Sequence, residues 1–184
     1  MIFRSAEKFC EWRSILETGF KSLYKGSPKC VLVVTSGGFD PLHVGHVRCI
    51  LSTAEITQHL KDDAKDRRSS LTPFERFQTC VIVNGDGFLI RKKGKFFMTE
   101  MERAEIIASI SGVDHVIIWD DGTQTVEGCL EMIRPTVFAK GGDRSSPGSV
   151  PELDLCQKIG CEIRYGVGGF DKIQSSSDLI RNSK

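Results

Sequence analysis

From residue 30 onward, short β-branched and apolar runs alternate with helical stretches, and this alternation restricts the fold more than any other feature of the chain. The runs Cys30 to Thr35, Thr79 to Asn84, His115 to Trp119, Thr136 to Ala139 and Cys161 to Tyr165 have the composition of buried parallel strands. Between them, apolar residues at helical spacing predict helices over 44–59, 99–111, 123–133 and 150–159. Two of these begin on capping boxes, Thr99-x-x-Glu102 and Ser149-x-x-Glu152, and Gly112 and Gly160 stand where helices should stop. A strand followed each time by a helix gives an α/β fold: an open, parallel, five-stranded sheet with helices on both faces.

Ahead of this pattern, Ser5 can cap a helix whose residues Phe9, Trp12, Ile15, Leu16, Phe20 and Leu23 form one apolar stripe, ending at Gly26-Ser27-Pro28. The break divides an N-terminal helical extension, 1–29, from a main domain, 30–184. The stripe must be covered, by the domain or by a second subunit, and a homodimer through this helix is the expectation. Residues 61–77 read as a mixed-charge, solvated insertion ending in a short helical turn at Phe74-Glu75-Arg76-Phe77.

Charge and cysteine content exclude several classes of function. The 184 residues carry 25 basic and 24 acidic side chains, so no long-range field draws in nucleic acid or an anionic membrane, and neither is expected as a partner. Three aspartates among the basic residues of 61–68 argue the same way locally. Seven scattered cysteines without a C-x-x-C pair favour reduced thiols in a cytoplasmic protein and offer no zinc-ligand spacing. The opening residues lack the order of a signal peptide, and the apolar runs are too short for a bilayer span.

The chemistry concentrates where the first main strand runs through Thr35-Ser36-Gly37-Gly38-Phe39-Asp40-Pro41-Leu42-His43-Val44-Gly45-His46 into a helix beginning at 44. A strand, a glycine-bearing turn and a helix N-terminus together make an anion site, because unpaired N–H groups point outward at the carboxyl end of the sheet. Gly37 and Gly38 allow the backbone to approach a phosphate. His43 and His46 project from one side with ring N–H donors, and Gly45 leaves room for a flat base.

His43-Val44-Gly45-His46, preceded by Phe39-Asp40, resembles the H-x-G-H signature of the cytidylyltransferase-like nucleotidyltransferase superfamily, whose fold is Rossmann-like. The resemblance implies catalytic roles for His43 and His46, and nucleotide contacts by Ser36, Gly37, Gly38, Phe39, Asp40 and Gly45. Arg91-Lys92-Lys93-Gly94-Lys95, after Asn84-Gly85-Asp86, is similar to the family's loop with a triphosphate-binding lysine, which implies that Lys92 or Lys93 takes part in catalysis. Glu102-Arg103 and Val113-Asp114-His115-Val116-Ile117 resemble two further family segments and imply a nucleotide contact by Arg103, with pairing to a helix glutamate as the alternative.

Lys140-Gly141-Gly142-Asp143 resembles the K-G-G-D segment of bacterial heptose-phosphate adenylyltransferases, although Arg144 stands where an aromatic is expected. Near the C-terminus, Ile173 to Arg181 resembles an I-S-S-T/S-x-I-R element, implying that Ser175, Ser176, Ser177 and Arg181 hold the β- and γ-phosphates. Such serines also cap helices without any ligand.

The resemblance implies transfer of a nucleotidyl group from a nucleoside triphosphate to a small phosphorylated substrate such as a sugar phosphate, with Mg²⁺ on the phosphates and release of pyrophosphate. ATP is favoured over CTP, because Gly141 and Gly142 leave space for a purine. The alternatives are a cytidylyltransferase acting on glycerol phosphate or another alcohol phosphate, and a nucleotide-binding module without turnover.

Overall fold

The structure is a computed structural model that describes residues 1–23, 29–66, 75–141, 150–169, 176 and 179–180. Its elements, in chain order, are β1 (Ile2–Phe3), α1 (Ala6–Leu23), β2 (Lys29–Gly37), α2 (Val44–Asp66), β3 (Glu75–Asn84), α3 (Asp86–Lys93), α4 (Glu100–Ala108), β4 (His115–Trp119), α5 (Glu127–Ile133), β5 (Val137–Gly141), α6 (Leu153–Ile159) and β6 (Glu162–Val167). The strands form one sheet in the order β1-β4-β3-β2-β5-β6, parallel at every pairing. This is a Rossmann-like α/β fold. The five expected strands are present, and β1 adds a sixth at the edge beside β4.

Side-chain alternation along the strands supplies both faces of the sheet. Leu32, Val34, Cys80, Ile82, Ile117 and Phe138 pack beneath α1, α5 and α6 with Phe9, Leu130, Ile133 and Cys156. Val81, Val83, Val116 and Ile118 pack on the other face beneath α2 and α4, with Ile50, Ala104 and Ile107. The main crossover falls between β2 and β5, whose neighbours run outward in opposite directions. In open α/β sheets the crevice outside the carboxyl ends of two such strands is where ligands bind.

Several expectations need correction. Residues 61–66 continue α2 as helix, and 75–77 open β3 where a helical turn was expected; 67–74 lie outside the described residues. The register from Lys29↔Glu75 to Gly37↔Val83 explains the longer strand, since pairing with β2 overrides the weak strand preference of Glu75 and Arg76. The Arg91 to Lys95 segment is mostly the end of helix α3, which stops at Gly94 with φ 77°. Glu152 is the N-cap of α6 rather than the third residue of a capping box. Thr99 and Glu102 do form theirs, each accepting the other's backbone N–H.

The stripe of α1 is covered in part by the chain itself. Phe9 is fully buried, and Phe3, Phe9, Trp12 and His115 pack as an edge-to-face and tilted cluster with ring centroids 4.7–5.8 Å apart. Ile15 is 72% exposed. All seven cysteines are free thiols. No described helix is long and apolar enough to cross a membrane.

Candidate active site

The turn between β2 and α2 lies at the crossover, and its shape is held from beneath. Asp40 is 1% exposed, and its two carboxylate oxygens accept the backbone N–H groups of Phe97 and Met98, each at 2.8 Å. Arg103, equally buried, donates to Met98 O at 3.0 Å, Gly38 O at 2.7 Å, Asn84 O at 2.6 Å and the Asp86 carboxylate at 2.6 Å. The carbonyls at the ends of β2 and β3 are therefore tied to one guanidinium. The resemblance implies nucleotide contact for Asp40, and for Arg103 either nucleotide contact or pairing with a helix glutamate; in the structure the Asp40 oxygens accept backbone N–H groups and four Arg103 N–H groups bond the protein, with Asp86 as the charged partner.

Above this frame His43 and His46 stack, with ring centroids 3.7 Å apart and an interplanar angle of 19°. Phe39, at φ 52°, sets its ring edge-on to His46 at 5.1 Å. The space at the glycines is taken by this chain's own side chains. A Cβ at Gly37 would meet the Phe39 ring at 2.9 Å, one at Gly38 would meet Leu89 at 2.8 Å, and one at Gly45 would meet the His43 ring at 3.1 Å. The missing Cβ of Gly45 thus leaves room for the His43 ring in the histidine stack.

The histidine pair is electrically neutral at pH 7. Burial pushes the His46 pKa down to about 3, with smaller contributions from His43 and the Lys93 ammonium; His43 is lowered by burial and then by Lys93. The Nδ1 atoms of both rings are buried without a hydrogen-bond partner. Lys93 is itself lowered by desolvation, and by Lys92 and Arg103 against the opposing pull of Asp40. Lys93 is therefore the α3 lysine whose charge bears on the histidines, while the Lys92 ammonium lies 5.8 Å over the Phe88 ring. The first turn of α2 itself carries no acidic residue to offset the helix's positive end.

The other expected residues divide. Ser176 reaches the turn, donating to Pro41 O at 3.0 Å. Lys140 turns away towards α6, where its ammonium pairs with buried Glu152 at 3.2 Å and lies 4.3 Å over the Phe138 ring. Gly141 faces α2, where a Cβ would meet the Cys49 thiol at 3.3 Å. Gly142, Asp143, Ser175, Ser177 and Arg181 lie outside the described residues. Sequence reading missed Asp86, the charged partner of Arg103, and Gly168. At φ 87°, Gly168 brings the end of β6 so close to α2 that a Cβ would lie 2.6 Å from the Cys49 nitrogen. The glycine doublet Gly168-Gly169 was the available signal.

Comparisons with known proteins agree with this geometry. No family model matches the chain. It is 30% identical over 134 residues, 72% of its length, to the bifunctional protein HldE of Syntrophotalea carbinolica. It is 34% identical over 121 residues to HldE of Koribacter versatilis, 65% of this chain, and 30% identical over 155 residues to HldE of Alcanivorax borkumensis, 83% of this chain. These matches span 21–26% of the relatives' own length, about a quarter. Among solved structures, the lipopolysaccharide core biosynthesis protein of Thermoplasma volcanium superposes with a TM-score of 0.53 at 20% identity, over 77% of this chain and 98% of that one. With its Rossmann-like sheet, its H-x-G-H turn at the crossover and its likeness to HldE, the chain fits the cytidylyltransferase-like superfamily of nucleotidyltransferases.

Proposed function

We propose that the chain transfers a nucleotidyl group, AMP preferred, from a nucleoside triphosphate to a small phosphorylated acceptor such as a sugar phosphate. A phosphate oxygen of the acceptor attacks the α-phosphorus in line. One P–O bond forms, the bond from the α-phosphorus to the bridging oxygen breaks, and its electron pair leaves on pyrophosphate. The acceptor is already an anion, so no protein nucleophile is required, and catalysis reduces to positioning and charge stabilisation. The observation that carries this reading is the stacked, neutral His43–His46 pair at the acid-free N-terminus of α2, beside the Lys93 charge.

Mg²⁺ is expected to travel with the triphosphate. Both Asp40 oxygens are occupied by backbone N–H groups, and no group of three or more potential metal-ligating side chains occurs among the described residues. The described donor set suits phosphate oxygens rather than a cation held by the protein.

The adenylyl preference rests on the resemblance of the Lys140 to Asp143 segment. A Cβ at Gly141 would meet the Cys49 thiol at 3.3 Å, so the open side of this glycine is filled by α2 and adds no support for the larger base; the second reading is cytidylyl transfer to glycerol phosphate or a related alcohol phosphate. A pyrophosphate-release screen of four triphosphates against sugar, glycerol and amino-alcohol phosphates tests both readings. Release that requires both a triphosphate and a phosphorylated acceptor is expected, and none with any pair refutes transfer. Calorimetric titration then ranks the bases, and CTP binding tenfold tighter than ATP would reverse the preference.

A further inference from the structure

Helix α3 carries the lysine whose charge bears on the histidines, yet only Phe88 and Leu89 of its eight residues are buried. Successive residues turn about 100° around a helix axis, so Arg91 and Lys93 flank that buried face on opposite sides, while Ile90 points away from it and is 49% exposed. The sheet matches this arrangement, because β3, which leads into α3, lies between β4 and β2. Arg91 takes the β4 flank. Its guanidinium donates to the carboxylate of Asp120, the residue after β4, and to Thr123 O at 3.0 Å, and the Gln124 side chain donates to Arg91 O at 3.4 Å. Lys93 is thereby left on the β2 flank, where the histidine turn follows. Two glycines make room for Asp120: a Cβ at Gly85 would lie 2.7 Å from the Asp120 Cβ, and one at Gly87 would collide with its carboxylate. The Gly122 N–H holds that carboxylate from the other side at 3.2 Å. At the start of α3, Glu100 accepts the Asp86 N–H at 2.9 Å.

We infer that Asp120 is a positioning residue for the triphosphate site: by holding Arg91 on the β4 flank of α3 it sets the rotation of the helix and keeps Lys93 turned towards the His43–His46 pair. This inference rests on the transferase reading above, in which Lys93 meets the triphosphate. Arg91 and Asp120 are partly exposed, so solvent screens their charges, and the contact supplies direction more than stability. Direction matters at this scale. A rotation of α3 by about 30° moves a side-chain tip at a radius of about 6 Å by about 3 Å, a whole hydrogen-bond length. The charge of Asp120 and its tether act in opposite senses. As an anion beside a phosphate site it opposes triphosphate binding, so loss of its charge alone would tighten binding, whereas loss of the tether weakens it.

The test titrates the full chain, Asp120→Ala, Lys93→Met and the double variant calorimetrically, with whichever of ATP and CTP binds the wild type more tightly in the presence of Mg²⁺. Asp120→Ala is expected to weaken binding by about fivefold, against the sign of its charge, and Lys93→Met to cost at least about threefold less in the Asp120→Ala background than in the wild type, since the two residues couple only through the orientation of α3. Binding unchanged or tighter in Asp120→Ala overturns the inference, as does a Lys93→Met cost equal within twofold in the two backgrounds. Should Asp120→Ala lose its cooperative unfolding transition, Arg91→Met cuts the same tie from its exposed side and takes its place in the cycle, judged by the same coupling to Lys93. Triphosphate binding without pyrophosphate release from any acceptor overturns the transferase reading and leaves the cycle to decide on Asp120. No triphosphate binding by the wild type overturns both.

Discussion

Arg103 is the largest fully buried side chain among the described residues, and four of its N–H groups are committed to four different partners. Arg103→Lys should fail to replace it, because an ammonium cannot present a planar fork to three carbonyls and a carboxylate. Arg103→Met leaves Asp86 without its cation and is expected to cost about 3 kcal/mol or more in urea unfolding, with loss of turnover. A stable and active Arg103→Met variant would show that the frame beneath the turn is dispensable. His46 makes the opposite kind of contribution. His46→Ala should leave the fold intact and lower turnover by about a hundredfold or more, the usual consequence of losing a donor to developing charge. Burial lowers the His46 pKa to about 3 and a bound anion beside it opposes that shift, so triphosphate binding near pH 5 should take up more protons in the wild type than in His46→Ala. Titration of both proteins in buffers of different ionisation enthalpy measures the difference, and uptake greater in His46→Ala than in the wild type would contradict it.

Among the elements, the close approach of β6 to α2 depends on one glycine. Gly168→Ala places a side chain at φ 87° and against the backbone of Cys49, and a loss of roughly 2–4 kcal/mol is expected, together with displacement of the histidine helix. A melting temperature unchanged in this variant would show that the contact yields freely. The elements legible in the sequence were those whose own composition decided them: His115 to Trp119 matches β4, and α2 begins at Val44 as read. Helix α3 was hidden because Gly85 and Gly87 look like a turn and its cationic end looks like a loop; its buried Phe88 and Leu89 decide otherwise. Strand β1 is two residues long, too short to carry a period, and exists only because β4 offers an edge. At the site, the spacing of His43 and His46 was enough to find the pair. That Asp40, Arg103 and Lys140 face protein partners depends on contacts between residues far apart in sequence, which no local pattern records.

At the scale of the whole molecule, acid stability is linked to the seam between α1 and the sheet. His115 lies in the Phe3, Phe9 and Trp12 cluster, with its Nε2 2.8 Å from Gln78, and burial lowers its pKa to about 4. Between the ordinary histidine pKa of 6.5 and that value, the unfolded chain binds more protons than the folded one, so stability falls as pH falls through this window. The slope from His115 is at most about 1.4 kcal/mol per pH unit, and His46 acts in the same direction. His115→Phe should flatten the dependence of urea midpoints between pH 7 and 5, and an equally steep profile in the variant would assign it elsewhere. The same seam bears on the N-terminal segment. Deleting residues 1–28 removes Phe9 from the core and β1 from the sheet, and the expected result is a chain without cooperative unfolding rather than a smaller oligomer.

Strand β1 and its partner β4 are separated by more than a hundred residues, and β4 is added after β2 and β3 in the order of synthesis. At about 5–20 residues per second, α1 with its apolar stripe leaves the ribosome several seconds before the strand edge that receives it is complete. During that interval Phe9 and Trp12 can meet only the β2 and β3 part of their packing surface, and the nascent chain presents what remains uncovered to any chaperone that binds hydrophobic segments near the exit tunnel. The parallel edge beside β4 thereby delays the full covering of α1 until β4 has been made.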